Sequence, residues 1–510
     1  MEQNKMGVMP VNKLLISMSL PMMISMLVQA LYNVVDSIYV SRISESAVTA
    51  LGLAFPIQNL LIGCATGVGV GVNALLSKSL GEQNYERANR TAGNGFMLSC
   101  LFALGFLVFG LFFARPFFAT QTTVAETLEG GSIYLTIVTV GSIGIFIEIL
   151  FERLLQASGN AFQSMITQGT GAIINIILDP ILIFGWFGLP AMGIAGAALA
   201  TVIGQWIAAI LAMGLNLKYN KELKSLERRH AKPDAHVIRT IMGIGVPSII
   251  MVGIGSVMNF GINQILQGFS ETATGVFSIY FKLQSFFFMP LFGINNAVIS
   301  IVAFNYGARR PDRMMKTLKL AAMAGLGIML VGLGVFQFAP ELLLSIFDPS
   351  AEFMSMAVRA LRTISWCFPV AAVCIILGST FQSLGTGIYA TIVSLARQLV
   401  VLLPAAYLLS LSGEVTRVWW AWPIAESMGL TMTLIFFLRN YRQRIKPLYE
   451  ENPDMFDECK AWQDGEVYLE MAYNAYYTNY EIALINTWFI AKTVYPEAFA
   501  DIDPVAKAGE

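Results

Sequence analysis

Two aspartates interrupt apolar segments of this 510-residue chain, Asp36 in "YNVVDSIYV" and Asp179 in "NIILDPILIF". An ionised carboxylate costs several kcal/mol in an apolar environment unless a partner or a cation compensates it. Asn175 precedes Asp179 by four residues, so both side chains lie on one face of a helix. Thr201 adds a hydroxyl from the small-residue segment "GAALATVIGQ". If these four residues converge, their oxygens can hold a hard cation such as Na+ or share a proton.

Other charged residues also interrupt the apolar segments. They are Glu148, Glu152, Arg153, Lys282, Arg397 and Glu426. Glu152 and Arg153 are expected either to pair or to extend towards the membrane interface. Lys282, Arg397 and Glu426 are candidate cavity residues or counter-charges, and Glu426 is expected to pair with either base. For Asp36 and Asp179, the alternative is that each acid hydrogen-bonds a neighbour and only helps the helices to pack.

The composition predicts a membrane protein that crosses the bilayer many times. The chain is 56% hydrophobic and 13% charged, with a mean hydropathy of +0.64, whereas soluble domains are about 25% charged. The apolar runs are about 20 residues long, as helices that cross a bilayer require, and they lack the alternation of a membrane barrel. The N-terminus shows no signal peptide, and the five cysteines show no disulfide framework.

Twelve spans can be placed on the apolar runs, which puts both termini on the same side of the membrane. Their predicted bounds are 14–40, 48–77, 92–114, 131–156, 163–184, 193–217, 238–268, 273–304, 317–338, 354–384, 388–411 and 416–438. Lysines and arginines cluster after the second, sixth, eighth and twelfth spans. Because basic loops stay in the cytoplasm, we expect cytoplasmic termini and a cytoplasmic loop over 218–237.

The first half of the sequence repeats in the second half at a constant offset of 226 residues. Pro21 in "SLPMMIS" aligns with Pro247 in "GVPSIIM", and Gly81 in "SLGEQNYER" aligns with Gly307 in "NYGARRPDR". Six spans in each repeat give the halves the same orientation, related by a pseudo-twofold axis along the membrane normal. The predicted fold is therefore an all-α integral membrane protein of two six-helix bundles around a central cleft.

The repeat divides the chain into four predicted parts. These are an N-lobe (1–217), an inter-lobe loop (218–237), a C-lobe (238–446) and a tail (447–510). The aspartates do not follow the repeat, since Ile262 and Ala405 stand where the C-lobe would carry them. The acid is thus concentrated in the N-lobe, and the two halves are chemically unequal.

The tail differs in composition from the rest of the chain. It has 13 acidic and three basic residues and is rich in aromatic side chains. Residues 467–491 suit an amphipathic helix better than another span. Either a regulatory role with a partner that the sequence does not name or a dispensable cytoplasmic extension fits this pattern.

Four classes of function fit a membrane protein of this kind. A secondary transporter that exchanges cations for amphipathic molecules accounts best for the repeat and the acid pair. A flippase for lipid-linked oligosaccharides or lipids is the alternative that Lys282 and Arg397 keep open. A membrane enzyme lacks a Cys/His or metal constellation, and a channel does not explain the unequal halves. The chain has no "GxxxxGK[ST]" motif for ATP coupling. No nucleic-acid partner is expected.

These features together resemble the bacterial multidrug and toxic compound extrusion (MATE) transporters. The resemblance rests on twelve spans in a six-plus-six repeat, an aspartate in the first span, "N-x-x-x-D-P" in the fifth and "A-T-V-I-G-Q" in the sixth. "QASGNAF" after the fourth span and "FNYGARRPDR" after the eighth are also typical. The set covers about residues 10–445 and is more specific in combination than any one motif.

The resemblance implies a V-shaped, two-lobe transporter of the MATE/MOP type in the plasma (inner) membrane. It would export organic, often cationic, compounds in exchange for H+ or Na+. The resemblance also implies that Asp36, Asn175, Asp179 and Thr201 form the cation site of the N-lobe, with no cofactor or other metal ion. A monomer in membrane lipid is expected. The NorM branch carries an acid in its seventh span, and this chain does not. Coupling through the N-lobe alone, as in the DinF-like branch, is therefore expected.

Overall fold

The computed structural model describes residues 4–220, 223, 232–347 and 350–451, and every regular element within these ranges is a helix. Most of the predicted inter-lobe loop and nearly all of the predicted tail lie outside the described residues. Both predicted lobes belong to one compact unit, Met1–Arg444. The fold is therefore described for this unit.

Ten helices are long and apolar enough to cross a membrane, and two bent helix pairs raise the total to twelve. This matches the twelve predicted spans. Spans 1 to 12 are Val11–Ser41, Glu45–Gly81, Tyr85–Phe112, Ala125–Val140 with Ile143–Ala157, Ala161–Phe184, Gly193–Tyr219, Ala235–Gln267, Glu271–Gly307, Pro311–Phe338, Ala351–Ser365 with Phe368–Ser383, Gly387–Ser410, and Val415–Val418 with Ala421–Asn440.

The internal repeat also appears in helix bends and short helices that the sequence did not predict. Spans 4 and 10 bend by 44° and 46°, and the breaks at Gly141 and Cys367 lie 226 positions apart. Short helices that follow spans 3 and 9, Ala114–Gln121 and Pro340–Ser345, also begin 226 positions apart. The two lobes therefore share the local deviations of one ancestral unit as well as its span order.

The two lobes meet where spans 2 and 8 end. A Cβ atom on Gly81 would lie 1.9 Å from the carbonyl oxygen of Phe304, and one on Gly307 would lie 2.1 Å from the carbonyl oxygen of Lys78. Only glycine permits so close an approach of two helix backbones. These glycines are repeat counterparts, so the crossing is symmetric.

A second glycine contact joins span 2 to span 7. A Cβ atom on Gly67 would lie 2.7 Å from the Gly245 carbonyl oxygen, and one on Gly245 would lie 2.8 Å from the Gly67 carbonyl oxygen. Further along the same pair of helices, the Asn59 side-chain amide donates to the Ser256 hydroxyl at 2.6 Å. The lobes are thus held together from one end of the bundle to about the middle of these spans.

We call the end that contains the Gly81–Gly307 crossing the basic end of the bundle. It carries Lys78, Arg87, Arg90, Arg309, Arg310, Arg313 and Lys316. The first helix, Lys5–Val8, docks there against the C-lobe, since Arg313 donates to the carbonyl oxygens of Met6 at 2.9 Å and Met9 at 2.7 Å. Burial lowers the pKa of Lys5 in this helix. The N-terminus is therefore part of the folded bundle.

Span 7 begins with a capping aspartate at the basic end. Asp234 accepts hydrogen bonds from the backbone N–H groups of His236 at 3.0 Å and Val237 at 3.2 Å, and from Arg90 of span 3 at 3.3 Å. The Val237 bond, followed by the Arg90 and His236 bonds, holds the pKa of the Asp234 carboxyl below its usual value. The cap thus ties the first helix of the C-lobe to the N-lobe.

Candidate functional site

Three spans of the N-lobe supply the predicted cation site. Span 1 contributes Asp36, span 5 contributes Asn175 and Asp179, and span 6 contributes Thr201. Spans 5 and 6 pack closely because Gly204 lies against the span 5 backbone, where a Cβ atom would lie 2.9 Å from the Gly171 carbonyl oxygen. All four site residues lie towards the end of the bundle opposite the basic end.

The Asn175 side chain links the other two residues of spans 5 and 6. With its amide oriented to satisfy both neighbours, its nitrogen donates to Asp179 Oδ2 at 2.9 Å and its oxygen accepts from the Thr201 backbone N–H at 3.0 Å. The Thr201 hydroxyl lies 3.2 Å from the same amide. Asn175 therefore orients the carboxylate from one side and leaves its second oxygen available.

Each of the two aspartates has a buried carboxylate oxygen that no described residue satisfies. Asp179 is 0% exposed and Asn175 is 3% exposed. Oδ1 of Asp179 and Oδ1 of Asp36 are both buried without a hydrogen-bond partner among the described residues, and the two carboxylates repel each other. Orphaned anionic oxygens close to each other are the arrangement that a bound cation or a shared proton would complete.

Two tyrosines join this site, and the sequence analysis missed both. The Tyr32 hydroxyl hydrogen-bonds with Thr201 and interacts electrostatically with both aspartates. Tyr134 also interacts with both aspartates, and its hydroxyl accepts from the Gln58 amide at 2.8 Å. Tyr32 precedes Asp36 by one helical turn, a spacing that could have revealed it. Nothing in the sequence marks Tyr134, which the fold brings in from span 4.

The C-lobe has no copy of this site. The repeat counterparts of the four predicted site residues are Ile262, Val401, Ala405 and Ser427. Ile262 is fully buried, so the place that corresponds to Asp36 is apolar core. The inequality predicted from the sequence therefore extends to the whole site.

The C-lobe instead contains one ion pair within its spans. Arg397 Nη1 contacts Glu426 Oε1, and the two side chains are 24% and 12% exposed. Gly429 makes room for the arginine, because a Cβ atom there would lie 2.9 Å from Arg397 Cδ. Arg397 lies in the π-helical stretch Ala396–Leu402 of span 11. Of the two bases predicted for Glu426, the structure pairs it with Arg397, while Lys282 is exposed.

Glu152 and Arg153 do not extend towards the interface, although the sequence analysis allowed this. Each is only 7% exposed. Gln156 lies between them, donating to Glu152 Oε1 at 2.7 Å and accepting from Arg153 Nη1 at 2.9 Å. The two charges are therefore retained inside the N-lobe by an amide that bonds to both.

Comparisons with known proteins agree with this architecture. The MatE family model matches twice, over residues 21–181 and 247–408, which together make up more than half of the chain and reproduce the internal repeat. Multidrug export protein MepA of Staphylococcus haemolyticus is 27% identical over 431 residues, covering 84% of this chain and 94% of the relative. Probable multidrug resistance protein YoeA of Bacillus subtilis is 26% identical over 428 residues, covering 82% and 92%.

A solved structure shares the fold. It is described as the outward-facing conformation of a multidrug resistance MATE family transporter of the MOP superfamily. It aligns with a TM-score of 0.81 and 24% identity over 88% of this chain and 99% of its own. The repeat, the twelve spans and the two family matches show that the chain belongs to the MatE family and is a multi-pass membrane transporter of the multidrug and toxic compound extrusion type.

Proposed function

We propose that this transporter exports amphipathic, often cationic, organic compounds in exchange for H+ or Na+. The cation binds at Asp36, Asn175, Asp179 and Thr201, and no other cofactor takes part. One observation carries the proposal: Asp179 is fully buried, one of its carboxylate oxygens has no hydrogen-bond partner within the described part of the chain, and a second carboxylate acts on it. Such a group is expensive to keep unless a cation neutralises it during function. The printed names of MepA and YoeA, which refer to multidrug export and resistance, support the class of substrate.

The basic end faces the cytoplasm in this proposal, following the rule that basic loops remain inside. The glycine crossing of Gly81 and Gly307 then closes the cytoplasmic side of the cleft, and the site near Asp36 lies towards the outside. This arrangement suits the arrival of a cation from outside and the departure of a substrate. Separation of the lobes at the crossing would open the cleft to the cytoplasm and complete alternating access.

Coupling in this scheme follows from charge neutralisation in span 1. Pro21 removes one backbone hydrogen bond from this helix, so the helix can bend with little loss of bonding. Close to the proline, the backbone of Met23 packs against Gly293 of span 8. A Cβ atom on Gly293 would lie 2.6 Å from the backbone nitrogen of Met23. When a cation neutralises Asp36 and Asp179, their repulsion disappears, and span 1 can change its position against span 8. A cationic substrate competes for the same negative charge.

We propose that the coupling takes place in the N-lobe alone, as expected from the resemblance to the DinF-like branch. Glu426, the acid that the sequence singled out in the C-lobe, is paired with Arg397. Within the described residues, no lysine or arginine is paired with Asp36 or Asp179. The same ion pair weakens the flippase alternative, because it removes one of the two free bases on which that alternative depended.

The test compares ethidium transport by proteoliposomes that contain the wild type, Asp179→Asn or Asp312→Asn. Asp312 is an exposed aspartate at the start of span 9 and controls for the substitution itself. A proton gradient and a sodium gradient are imposed separately. We expect one gradient to drive the wild type and Asp312→Asn, and neither to drive Asp179→Asn. Full transport by Asp179→Asn would refute the site, and no gradient-driven transport by the wild type would refute the antiport.

A further inference from the structure

A stripe of buried residues follows one face of span 5 from the cation site towards the basic end. Its members are Ser164, Thr167, Gly171, Asn175 and Asp179, spaced by three or four positions. All five are buried, and four carry polar side chains. A helix that only packed against apolar neighbours would bury apolar side chains along such a face. The stripe therefore indicates a polar path within the N-lobe.

The second half of span 4 supplies carboxylates along this path. Glu148, Glu152 and Gln156 are spaced by four positions and so lie on one face of their helix. The carboxylate of Glu152 accepts from the Ser164 hydroxyl at 3.3 Å. Oε1 of Glu148 lies 3.5 Å from the place of a Cβ atom on Gly171. Each glutamate therefore contacts the stripe at a different level.

The levels can be converted into distances along span 5. Gly171 is eight positions from Asp179, so at a rise of 1.5 Å per residue Glu148 lies about 12 Å from the cation site along the helix axis. Ser164 is 15 positions from Asp179, so Glu152 lies about 22 Å below the cation site along the helix axis. The two glutamates thus divide the distance between the cation site and the basic end into three steps.

Arg153 gives Glu152 a charged neighbour. Its side chain is 7% exposed, and its buried Nε has no hydrogen-bond partner among the residues that the structure describes, although its Nη1 bonds to Gln156. The positive charge of Arg153 acts on Glu152, whereas Glu148 experiences the negative charge of Glu152. The unsatisfied donor of Arg153 therefore lies beside Glu152 and not beside Glu148, so the two glutamates differ in their charged neighbours.

The C-lobe provides an internal comparison. The repeat counterparts of Glu148, Glu152 and Arg153 are Cys374, Gly378 and Ser379, so packing of this fold does not require charges there. The counterpart of Gly171 is Arg397, which Glu426 neutralises. In the N-lobe, no base is paired with Glu148 among the described residues.

Beyond Glu152, polar side chains continue to the basic end. The Ser158 hydroxyl donates to Asn220 Oδ1 at 2.5 Å, and the Asn160 amide donates to the same oxygen at 2.7 Å. The Asn220 amide donates in turn to Asn216 Oδ1 at 2.7 Å. This cluster joins the ends of spans 4 and 6; Asn216 and Asn220 are buried in it, whereas Ser158 and Asn160 are partly exposed at the basic end.

We propose that Glu148 and Glu152 form a cation route inside the N-lobe, which connects the coupling site at Asp179 with the cytoplasm separately from the substrate cleft. A proton leaving Asp179 protonates the Glu148 carboxylate, then that of Glu152, and finally passes to water at the basic end. A sodium ion would move between the same oxygens. The inference rests on the proposed function, because it specifies the path of the coupling ion.

The test separates ion movement from substrate binding. Full-length wild type, Glu148→Gln, Glu152→Gln and Glu148→Asp are reconstituted, and both ethidium binding and the cation flux induced by ethidium are measured. Glu126→Gln is the matched control, since Glu126 is an exposed acid that bonds to Ser46 outside the stripe. We expect both glutamine variants to lose about tenfold or more of the flux, with binding within about twofold of the wild type. Glu148→Asp should recover part of the flux.

Each contrary result has a distinct meaning. A flux within about twofold of the wild type in both glutamine variants overturns the route but leaves the proposed function intact. Loss of ethidium binding together with the flux in both variants also overturns the route, because the glutamates would then be structural. If the wild type itself shows no ethidium-induced cation flux, the proposed function fails, and the route fails with it.

Discussion

The crossing of spans 2 and 8 predicts that one added methyl group will shift the balance between conformations. In Gly81→Ala the new Cβ atom would lie 1.9 Å from the Phe304 carbonyl oxygen and 2.9 Å from the Ala308 nitrogen. Both atoms belong to the backbone, so no rotamer change relieves the overlap. Real Cβ contacts essentially never fall below 3.0 Å, and the helices must therefore separate by about 1 Å.

The magnitude follows from the known cost of overpacking. Adding a methylene-sized group to a well-packed interior destabilises that arrangement by about 1–3 kcal/mol. The penalty applies only to conformations in which the crossing is formed. The equilibrium should therefore shift about 5- to 150-fold towards conformations whose lobes are apart at the basic end.

Spin labels on opposite lobes at the basic end measure this shift. Glu86→Cys and Asp312→Cys place labels at exposed positions after spans 2 and 8, in a variant whose five natural cysteines are replaced. We expect Gly81→Ala to increase the population with a long label distance. Gly327→Ala is the control, since its Cβ atom would meet nothing within 4 Å. Identical distance distributions in the wild type and Gly81→Ala would refute the reasoning.

Two further predictions concern the C-lobe ion pair and the N-terminal helix. Arg397→Ala leaves Glu426 unpaired and should lower the free energy of unfolding by about 3–5 kcal/mol. The measurement is the unfolding temperature in detergent, which should fall. The double variant Arg397→Met with Glu426→Leu should recover most of this loss, and an unchanged temperature in the single variant would contradict the argument. Arg313→Ala removes two charge-assisted bonds to carbonyl groups of the N-terminal segment, so amide exchange over residues 4–9 should accelerate about tenfold or more. Lys316→Ala, at an exposed neighbour, should leave that exchange unchanged.

The twelve spans were predictable because their signal is local. A helix that crosses a bilayer needs about 20 apolar residues in succession, and hydropathy reads this directly. The bends in spans 4 and 10 were not predictable in this way. Each half of a bent span is apolar, and the angle between the halves depends on neighbouring helices.

For the candidate site too, the features within one helix were predictable and the contacts between helices were not. Asn175 and Asp179 could be assigned to one helix face from their spacing, and the carboxylates were recognisable by their cost in an apolar segment. Their bond to Thr201 and their electrostatic interaction with Asp36 had to be hypothesised, because these join three helices. Tyr134 was missed, since it is an ordinary aromatic residue of span 4 until the fold places it near both aspartates.

By itself, the sequence determined the class of protein, the number of spans, the repeat, and the concentration of acid in the N-lobe. These properties follow from composition, spacing and self-similarity, which need no knowledge of distant contacts. Only the tertiary structure decided that Glu426 pairs with Arg397 rather than Lys282, and that Gly81 and Gly307 meet at one crossing. Only the tertiary structure brought Glu148 and Glu152 against the polar stripe of span 5. Each of these contacts joins residues on different helices, and the packing of the whole bundle sets their distances.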